Sequence, residues 1–235
     1  MTRRIAAATG GLLAAFALGA MPTVSRAQDS GVIYAGGSVG DGANAYAGGV
    51  VALPGAHLGD GFAIRGGTSG GQYRYESGGR RISADYLGGE VALVYQTSGG
   101  WGWANFSGGG RVTDTRLKPG DPGNRLAGTR FDLALQSDGA VGNAWRATWF
   151  ASLGVNDRAY ITQVRVGRLV HGVSDTRLGI EGGIQGDRSY TRTSAGAFVS
   201  TRVTGQWIGQ LSGGFTKQKD RQAEPYVAIG VSKIF

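Results

Sequence analysis

Residues 224–235 read EPYVAIGVSKIF, and their side chains alternate between two characters. Val227, Ile229, Val231 and Phe235 share one parity. The other parity holds Tyr226, Ala228, Gly230, Ser232 and Ile234. Since successive side chains of a β-strand point to opposite faces, this segment predicts a strand with one apolar face. The strand is predicted to run to the final aromatic residue.

The same alternation recurs through the chain from about residue 31, between turns rich in Gly, Asp and Asn. Glycine supplies 45 of 235 residues, about 19%, against a usual share of roughly 7%. Each interior Gly costs a helix about 1 kcal/mol relative to Ala, so strands and turns are favoured. Twelve strands are predicted, with approximate cores at 31–39, 44–53, 61–74, 82–96, 100–115, 128–137, 144–155, 158–168, 176–186, 190–202, 205–216 and 225–235.

The first residues are typical of an export signal. MTRR precedes an apolar stretch from Ile5 to Ala20, and Ser25 and Ala27 are small residues at the positions that a signal peptidase reads. We therefore expect residues 1–27 to be a signal peptide and residues 28–235 to form one domain. Proline and glycine at 115–128 mark the only long connection, and they exclude a central strand there.

The charge and the cysteine count exclude several classes of protein. Removal of residues 1–27 takes three arginines and no acid, so the formal net charge falls from +8 to +5. The positive residues are scattered singly, which argues against a nucleic-acid partner. With no cysteine in the chain, disulfides, thiolate chemistry and Cys-ligated metals are excluded.

A soluble β-sandwich would show the same alternation, so the aromatic residues carry the argument for a membrane barrel. Phe62, Trp101, Trp145 and Trp207 stand near the starts of odd strands. A second set stands near the starts of even strands: Tyr46, Tyr86, Phe131, Tyr160, Tyr190 and Tyr226. Two aromatic rings are what a barrel in a bilayer places at its two interfaces, although Tyr86, Tyr190 and Tyr226 have the inner parity.

The predicted fold is therefore all-β, an antiparallel up-and-down transmembrane β-barrel of about twelve strands, located in the outer membrane. An even strand number leaves no open edge once the last strand pairs with the first. The terminal Phe235 resembles the signal by which bacterial outer-membrane proteins are recognised for insertion. Lys233 takes an outward parity where that pattern usually has an apolar residue, and we expect it to extend into the headgroups.

The polar parity would line the interior of such a barrel, where two interpretations stay open. One is a water-filled passage for anionic or hydroxyl-rich solutes, because arginine favours anions. The other is a barrel filled by paired charges, with Arg130 joined to Asp132 and Arg177 to Glu181. The predicted lumen-lining residues are Arg65, Glu90, Arg130, Asp132, Arg146, Arg165, Arg177, Glu181 and Arg192.

Two other features have a structural and a functional interpretation. Paired glycines such as Gly66 and Gly67 or Gly213 and Gly214 occur in strand centres, where curvature is the favoured explanation over space for a polymer. Trp103 and Trp149 could stack on sugars, but we expect both to face lipid.

Catalysis has little support in the sequence, and we predict no enzymatic activity, no catalytic residue, no cofactor and no metal. His57 and His171 fall in predicted periplasmic turns, and neither has a serine and an acid at the spacing of a catalytic triad. A lipid-modifying barrel enzyme that uses one of these histidines remains an alternative, as does a secreted β-sandwich that binds polysaccharide.

Four stretches are similar to the cellulose biosynthesis protein BcsS family: YAGGVVALPG (46–55), DGFAIRGG (60–67), DTRLKPGDPGNRLAGTRFDLALQSDG (114–139) and GIEGGIQGDRSY (179–190). The resemblance implies an outer-membrane accessory to cellulose biosynthesis or secretion, either a channel or a structural component of the export apparatus. A general small-solute porin is the alternative within the barrel class. Expected partners are outer-membrane lipid and cellulose or its export components, with the chain itself a monomer.

Overall fold

In the computed structural model, twelve antiparallel strands form one closed barrel. The structure describes residues 29–124, 126–172, 175–187, 191–218 and 222–235, so the predicted signal peptide at 1–27 lies outside the described residues. The strands are β1 (Gly31–Val39), β2 (Ala43–Ala52), β3 (Gly61–Ser77), β4 (Arg80–Gly99), β5 (Gly102–Lys118), β6 (Gly128–Val141), β7 (Trp145–Gly154), β8 (Tyr160–Leu169), β9 (Arg177–Gly186), β10 (Thr191–Thr204), β11 (Trp207–Gln218) and β12 (Glu224–Ile234).

Every strand pairs with its sequence neighbours, and β12 returns to pair with β1. The register of that seam runs from Val32 opposite Ile234 to Val39 opposite Val227. Beyond it, the carbonyl oxygen of Phe235 accepts hydrogen bonds from the backbone N–H groups of Ser30 and Gly31, at 2.7 and 3.0 Å. The prediction of a closed, up-and-down, twelve-stranded barrel is thus confirmed. Among the described residues, no helix is long and apolar enough to cross a membrane.

The outward parity of the strands is apolar over a continuous band. Leu87, Ile180 and Ile229 expose 66–70% of their surface, and many other large apolar side chains expose a third or more. Apolar surface of this extent is far beyond the scattered exposed residues of a water-soluble monomer, so it is suited to lipid.

The long strands β3, β4 and β5 continue past this apolar band at the end of the barrel opposite to the chain termini, which we call the far end. There the outward residues become polar, as in Asp85 of β4 and in Asp114, Arg116 and Lys118 of β5. We call the other end, where β1 begins and β12 ends, the terminal end. The connection between β5 and β6, residues 119–127, lies at the far end. It falls within residues 115–128, where the sequence predicts the one long connection.

The predicted ring of aromatic residues at the terminal end is confirmed, whereas the prediction for the far end is largely wrong. At the terminal end Phe62, Trp101, Trp145 and Trp207 are exposed, and Lys233 places its Nζ 5.6 Å from the centre of the Trp207 ring. At the far end, Phe131 and Phe215 are exposed by 63% and 62%, and Tyr160 shares their outward parity.

Three other tyrosines predicted for the far ring, Tyr46, Tyr86 and Tyr226, point inward instead. Tyr46 and Tyr86 are 7% and 8% exposed, and Tyr226 bonds to a residue across the barrel interior. Their parity in β2, β4 and β12 decides this, because the inward positions of those strands are the even-numbered ones. Tyr190 lies outside the described residues.

The terminal end is filled by apolar side chains on one side. Leu58, from the β2–β3 loop, is 2% exposed and packs with the inward residues Val50, Val94 and Ile234, among others. The expectation that Trp103 faces lipid is wrong: its parity in β5 is inward and only 5% of its surface is exposed. Trp149 has the outward parity and donates from Nε1 to the Ser137 hydroxyl at 3.1 Å.

Candidate functional site: the barrel interior

A first network of charged side chains occupies the interior beside β3–β6. Glu90 accepts two hydrogen bonds from Arg111, at 2.8 and 3.1 Å, and lies 3.4 Å from Nε of Arg65. Gln136 donates to both Glu90 carboxylate oxygens at 3.0 Å. Arg65 also lies 3.8 Å from Asp138 of β6, a strand three positions away around the barrel. Such a contact is possible only across the interior.

A second network joins β8, β9, β11 and β12. Arg165 donates from Nε to Glu181 at 2.7 Å, and the two side chains are 4% and 1% exposed. Arg165 also donates from Nη1 to Oε1 of Gln210 at 3.2 Å. The Tyr226 hydroxyl donates to the other Glu181 oxygen at 2.5 Å, and Gln163 approaches the carboxylate at 3.4 Å. Glu181 is therefore held from three directions in a site that water does not reach.

The other predicted lumen residues lie nearer the two ends. At the far end Arg130 pairs with Asp157 of the β7–β8 loop, and Asp132 accepts a hydrogen bond from the Asn156 N–H at 2.8 Å. Arg192 pairs with Asp41 of the β1–β2 turn at 2.8 Å.

At the terminal end two arginines bond to backbone carbonyls. Arg177 donates to the carbonyl of Asn143 at 2.7 Å, and Arg146 donates to that of Gly142 at 3.4 Å. Neither arginine is paired there with the carboxylates of the two central networks.

The two predicted ion pairs, Arg130 with Asp132 and Arg177 with Glu181, are therefore wrong. Arg130 pairs with Asp157 and not with Asp132, and Glu181 pairs with Arg165 and not with Arg177. Residues two or four apart on one strand share a face but are separated along it, whereas residues opposite each other on adjacent strands are close. Arg165 lies directly opposite Glu181 in the β8–β9 register.

Sequence reasoning also missed Arg111, Asp138 and Asp157, which complete these networks. Arg111 lies directly opposite Glu90 in the β4–β5 register. The sequence did contain a signal for Arg111. This residue follows three glycines and has the inward parity of its strand, and the neighbouring strand carries the acid Glu90. Asp157 is in a loop, where alternation gives no information.

Glycine explains how the interior accommodates aromatic rings. A Cβ built on Gly36 would lie 2.4 Å from the Tyr46 hydroxyl oxygen, and one on Gly196 would lie 2.5 Å from that of Tyr226. The rings lie against the barrel wall where the wall has no side chain. Among the paired glycines, Gly214 is likewise crowded, since its Cβ would be 2.2 Å from the Ala195 carbonyl. The close approach of neighbouring atoms, more than curvature of the strand, accounts for glycine at Gly36, Gly196 and Gly214.

The far end holds two adjoining cavities that are separated by tyrosines. The larger, of about 120 Å³, is lined by the β1–β2 turn and by residues of β3, β4 and β8–β12. The smaller, of about 60 Å³, is lined by residues of β3–β6, by Leu126 and by the β7–β8 loop. Tyr73 and Tyr86 line both cavities, with ring centres 6.3 Å apart.

Tyr75 anchors the 119–127 loop next to these cavities. Its ring stacks on Tyr73, with centres 6.1 Å apart. Its hydroxyl donates to Asp121 at 3.0 Å and accepts from Asn124 at 2.8 Å. Tyr75 lies in the part of β3 beyond the apolar band, where burial raises the pKa of its hydroxyl to about 12. The hydroxyl therefore keeps its proton, and this contact, through the neutral range.

The described residues include no group of three or more His, Asp or Glu that could hold a metal ion. His57 and His171 lie in the β2–β3 and β8–β9 connections at the terminal end, as their turn positions indicated. His57 is engaged by backbone hydrogen bonds with Asp60.

These features define an outer-membrane type of β-barrel: a closed antiparallel sheet with an apolar outer band and a polar interior. The model of the cellulose biosynthesis protein BcsS family matches residues 32–235, and the chain belongs to that family. The resemblance noted in the sequence is thus confirmed. None of the curated proteins matches the chain in sequence.

Solved structures share the fold at low identity. The β-domain of the Bordetella autotransporter BrkA is 13% identical with a TM-score of 0.54, over 88% of this chain and all of that one. The KdgM porin in complex with disordered oligogalacturonate is 11% identical with a TM-score of 0.51, over 87% of this chain and 99% of that one. At these identities the likeness is one of fold.

Proposed function

We propose that this protein resides in the outer membrane and serves cellulose production as a structural component with a filled barrel, rather than as an open channel. Membership of the BcsS family supports the link to cellulose. The apolar outer band and the fold shared with outer-membrane barrels support the location. The filled interior is the observation that decides between a component and a channel.

At mid-height the inward polar side chains are shielded from water. Arg65, Arg165 and Glu181 are 5%, 3% and 5% exposed. In a water-filled passage these side chains would be hydrated along the lumen. Their carboxylates and guanidinium groups instead bond to one another, as in small barrels filled by side chains.

Planar-bilayer recording of the purified, folded barrel tests the filled interior. We expect no stable conductance steps for the unmodified chain. A variant in which Glu90 and Arg111 are both replaced by alanine serves as the comparison, because it removes the centre of one network. Steady porin-like conductance from the unmodified chain would contradict the proposal and favour a small-solute channel.

Cellulose output in a deletion strain tests the biological role. We expect reduced dye-binding cellulose, restored by the intact gene and by a variant with both His57 and His171 replaced by alanine, because the proposal assigns no catalysis to either. Normal output in the deletion strain would contradict a role in cellulose production. Failure of the double histidine variant, with an altered lipid profile, would favour the enzyme alternative.

Export and assembly belong to the same proposal. We expect cleavage after Ala27, which N-terminal sequencing of the outer-membrane fraction would show. Phe235 would act as the membrane-assembly signal, in keeping with its exposed ring at the terminal end of the closing seam. Recovery of the mature chain in the soluble fraction without detergent would contradict the outer-membrane location.

A further inference from the structure

The larger far-end cavity adjoins the second charge network, since Gln163 and Tyr226 line it, and its other described lining residues are mostly small, polar or aromatic. Its walls come from the β1–β2 turn and from inward residues near the far ends of β3, β4 and β8–β12. We propose that this cavity binds a short segment of a neutral, hydroxyl-rich saccharide chain. The inference rests on the proposed function in that it identifies a glucan as the natural source of such a segment.

The charge of the lining favours a neutral ligand. Among the described lining residues, Asp41 and Arg192 are the only ones with ionisable acidic or basic side chains, tyrosine apart. They pair with each other at 2.8 Å, with side chains 19% and 23% exposed. An anionic ligand would have to draw Arg192 away from Asp41, which would leave a partly buried carboxylate without its partner.

The polar groups of the lining are those that recognise hydroxyls. Asn44, Gln163 and Gln185 place side-chain amides around the cavity, and Ser194 adds a hydroxyl to them. Each amide offers donors and an acceptor, and so matches sugar hydroxyls, which do both.

One of these amides has an acceptor that the protein leaves unused. Asn44 donates from Nδ2 to the Ser38 hydroxyl at 2.7 Å, whereas its Oδ1 is buried with no hydrogen-bond partner. A buried acceptor without a donor is costly, so such groups usually mark a missing partner. A ligand hydroxyl at the cavity wall would supply that donor.

Aromatic rings complete the site. Tyr73, Tyr86 and Tyr226 contribute to the same wall. Tyrosine presents an apolar ring and a polar hydroxyl together, which suits a sugar ring with its C–H groups and its hydroxyls. A cleft with aromatic walls and a few convergent polar groups is the usual form of a small-molecule site.

Isothermal titration calorimetry with the full chain, folded in detergent, tests this inference with two probes. Cellohexaose represents the neutral glucan, and hexagalacturonate has a similar length but carries carboxylates. We expect saturable binding of cellohexaose and at least tenfold weaker binding of hexagalacturonate. Equal or tighter binding of the charged oligomer, or no binding of cellohexaose, would overturn the inference.

Two variants and a matched control assign the binding to this cavity. Asn44→Ala and Gln185→Ala should each weaken cellohexaose binding about fivefold, the effect of losing one hydrogen bond. Asn44→Ala removes an acceptor that has no partner in the protein together with one hydrogen bond, to the Ser38 hydroxyl, so the fold should tolerate it. Gln206→Ala removes an exposed amide from the β10–β11 turn at the terminal end and should leave binding unchanged.

The same variants separate this inference from the proposed function. Each is expressed in the deletion strain, with heat-modifiable gel mobility as the check on folding. If folded Asn44→Ala and Gln185→Ala bind cellohexaose as tightly as the unmodified chain, the saccharide site is wrong, even where cellulose output still depends on the gene. If output does not depend on the gene at all, the proposed function fails, whatever the calorimetry shows.

Discussion

Replacement of Glu181 by alanine is the sharpest test of the packed interior. Glu181 accepts hydrogen bonds from Arg165 at 2.7 Å, Tyr226 at 2.5 Å and Gln163 at 3.4 Å, in a site where its side chain is 1% exposed. The substitution leaves the Arg165 guanidinium in the interior without its counter-charge. Removing one partner of a buried ion pair costs about 3–5 kcal/mol, and we expect the free energy of unfolding to fall by that amount.

The assay is urea unfolding of the barrel in lipid vesicles, followed by the fluorescence of its five tryptophans. The control is Arg116→Ala, because Arg116 pairs with Asp114 at 3.2 Å on the surface, where its side chain is 79% exposed. Exposed pairs contribute about 0–1 kcal/mol, so the control should change the unfolding free energy by no more than that.

A double variant separates the charge from the packing. Arg165→Met combined with Glu181→Leu removes both charges and keeps apolar volume, so it should cost less than Glu181→Ala alone. A loss below about 1 kcal/mol for Glu181→Ala would refute the reasoning, because it would mean that water already solvates Arg165. The interior would then be a wet passage.

Three further predictions concern glycine, the far-end loop and the seam. Gly36→Ala should lower the free energy of unfolding by about 1–3 kcal/mol in the same urea assay, because its Cβ would lie 2.4 Å from the Tyr46 hydroxyl oxygen. The control is Gly66→Ala, which has no atom within 4 Å of its Cβ and should leave the free energy of unfolding nearly unchanged. Tyr75→Phe should speed proteolysis within the 119–127 loop, because it removes the bonds to that loop, whereas the remaining barrel stays resistant. Since the Tyr75 pKa is raised to about 12, loop protection in the unmodified chain should be complete below pH 10 and decline as the pH approaches 12. Deletion of Phe235 should lower the amount of heat-modifiable barrel in outer membranes, and unchanged amounts would contradict its role as an assembly signal.

Period-two alternation was sufficient to predict the twelve strands, because a lipid-facing wall imposes the same requirement on each of them. It also gave the inward positions of Arg65 and Arg165. The far ends of β3, β4 and β5 were underestimated, because beyond the apolar band the outward residues are polar and no longer mark a lipid-facing side. Tyr46 was assigned to the interface by its place near a strand end, whereas its parity places it inside.

The partners of the interior charges could not be predicted from one sequence. Pairing depends on register, and register depends on turn lengths that the sequence gives only approximately. Arg165 and Glu181 are opposite each other because the β8–β9 connection spans residues 170–176. A connection longer or shorter by one residue would place a different residue opposite Glu181.

The distribution of filled regions and cavities along the barrel interior suggests where the protein meets its partners. Leu58 and its apolar neighbours fill one side of the terminal end, and the two charge networks fill the middle, so the described interior leaves cavities chiefly at the far end. The far end also has the longest strands, whose outward residues become polar beyond the apolar band. A barrel whose middle is occupied by paired charges gains rigidity at the expense of a passage. Its contribution to cellulose production would then be made at the far end, where the saccharide site is proposed, and a glucan would be held there rather than conducted through the barrel.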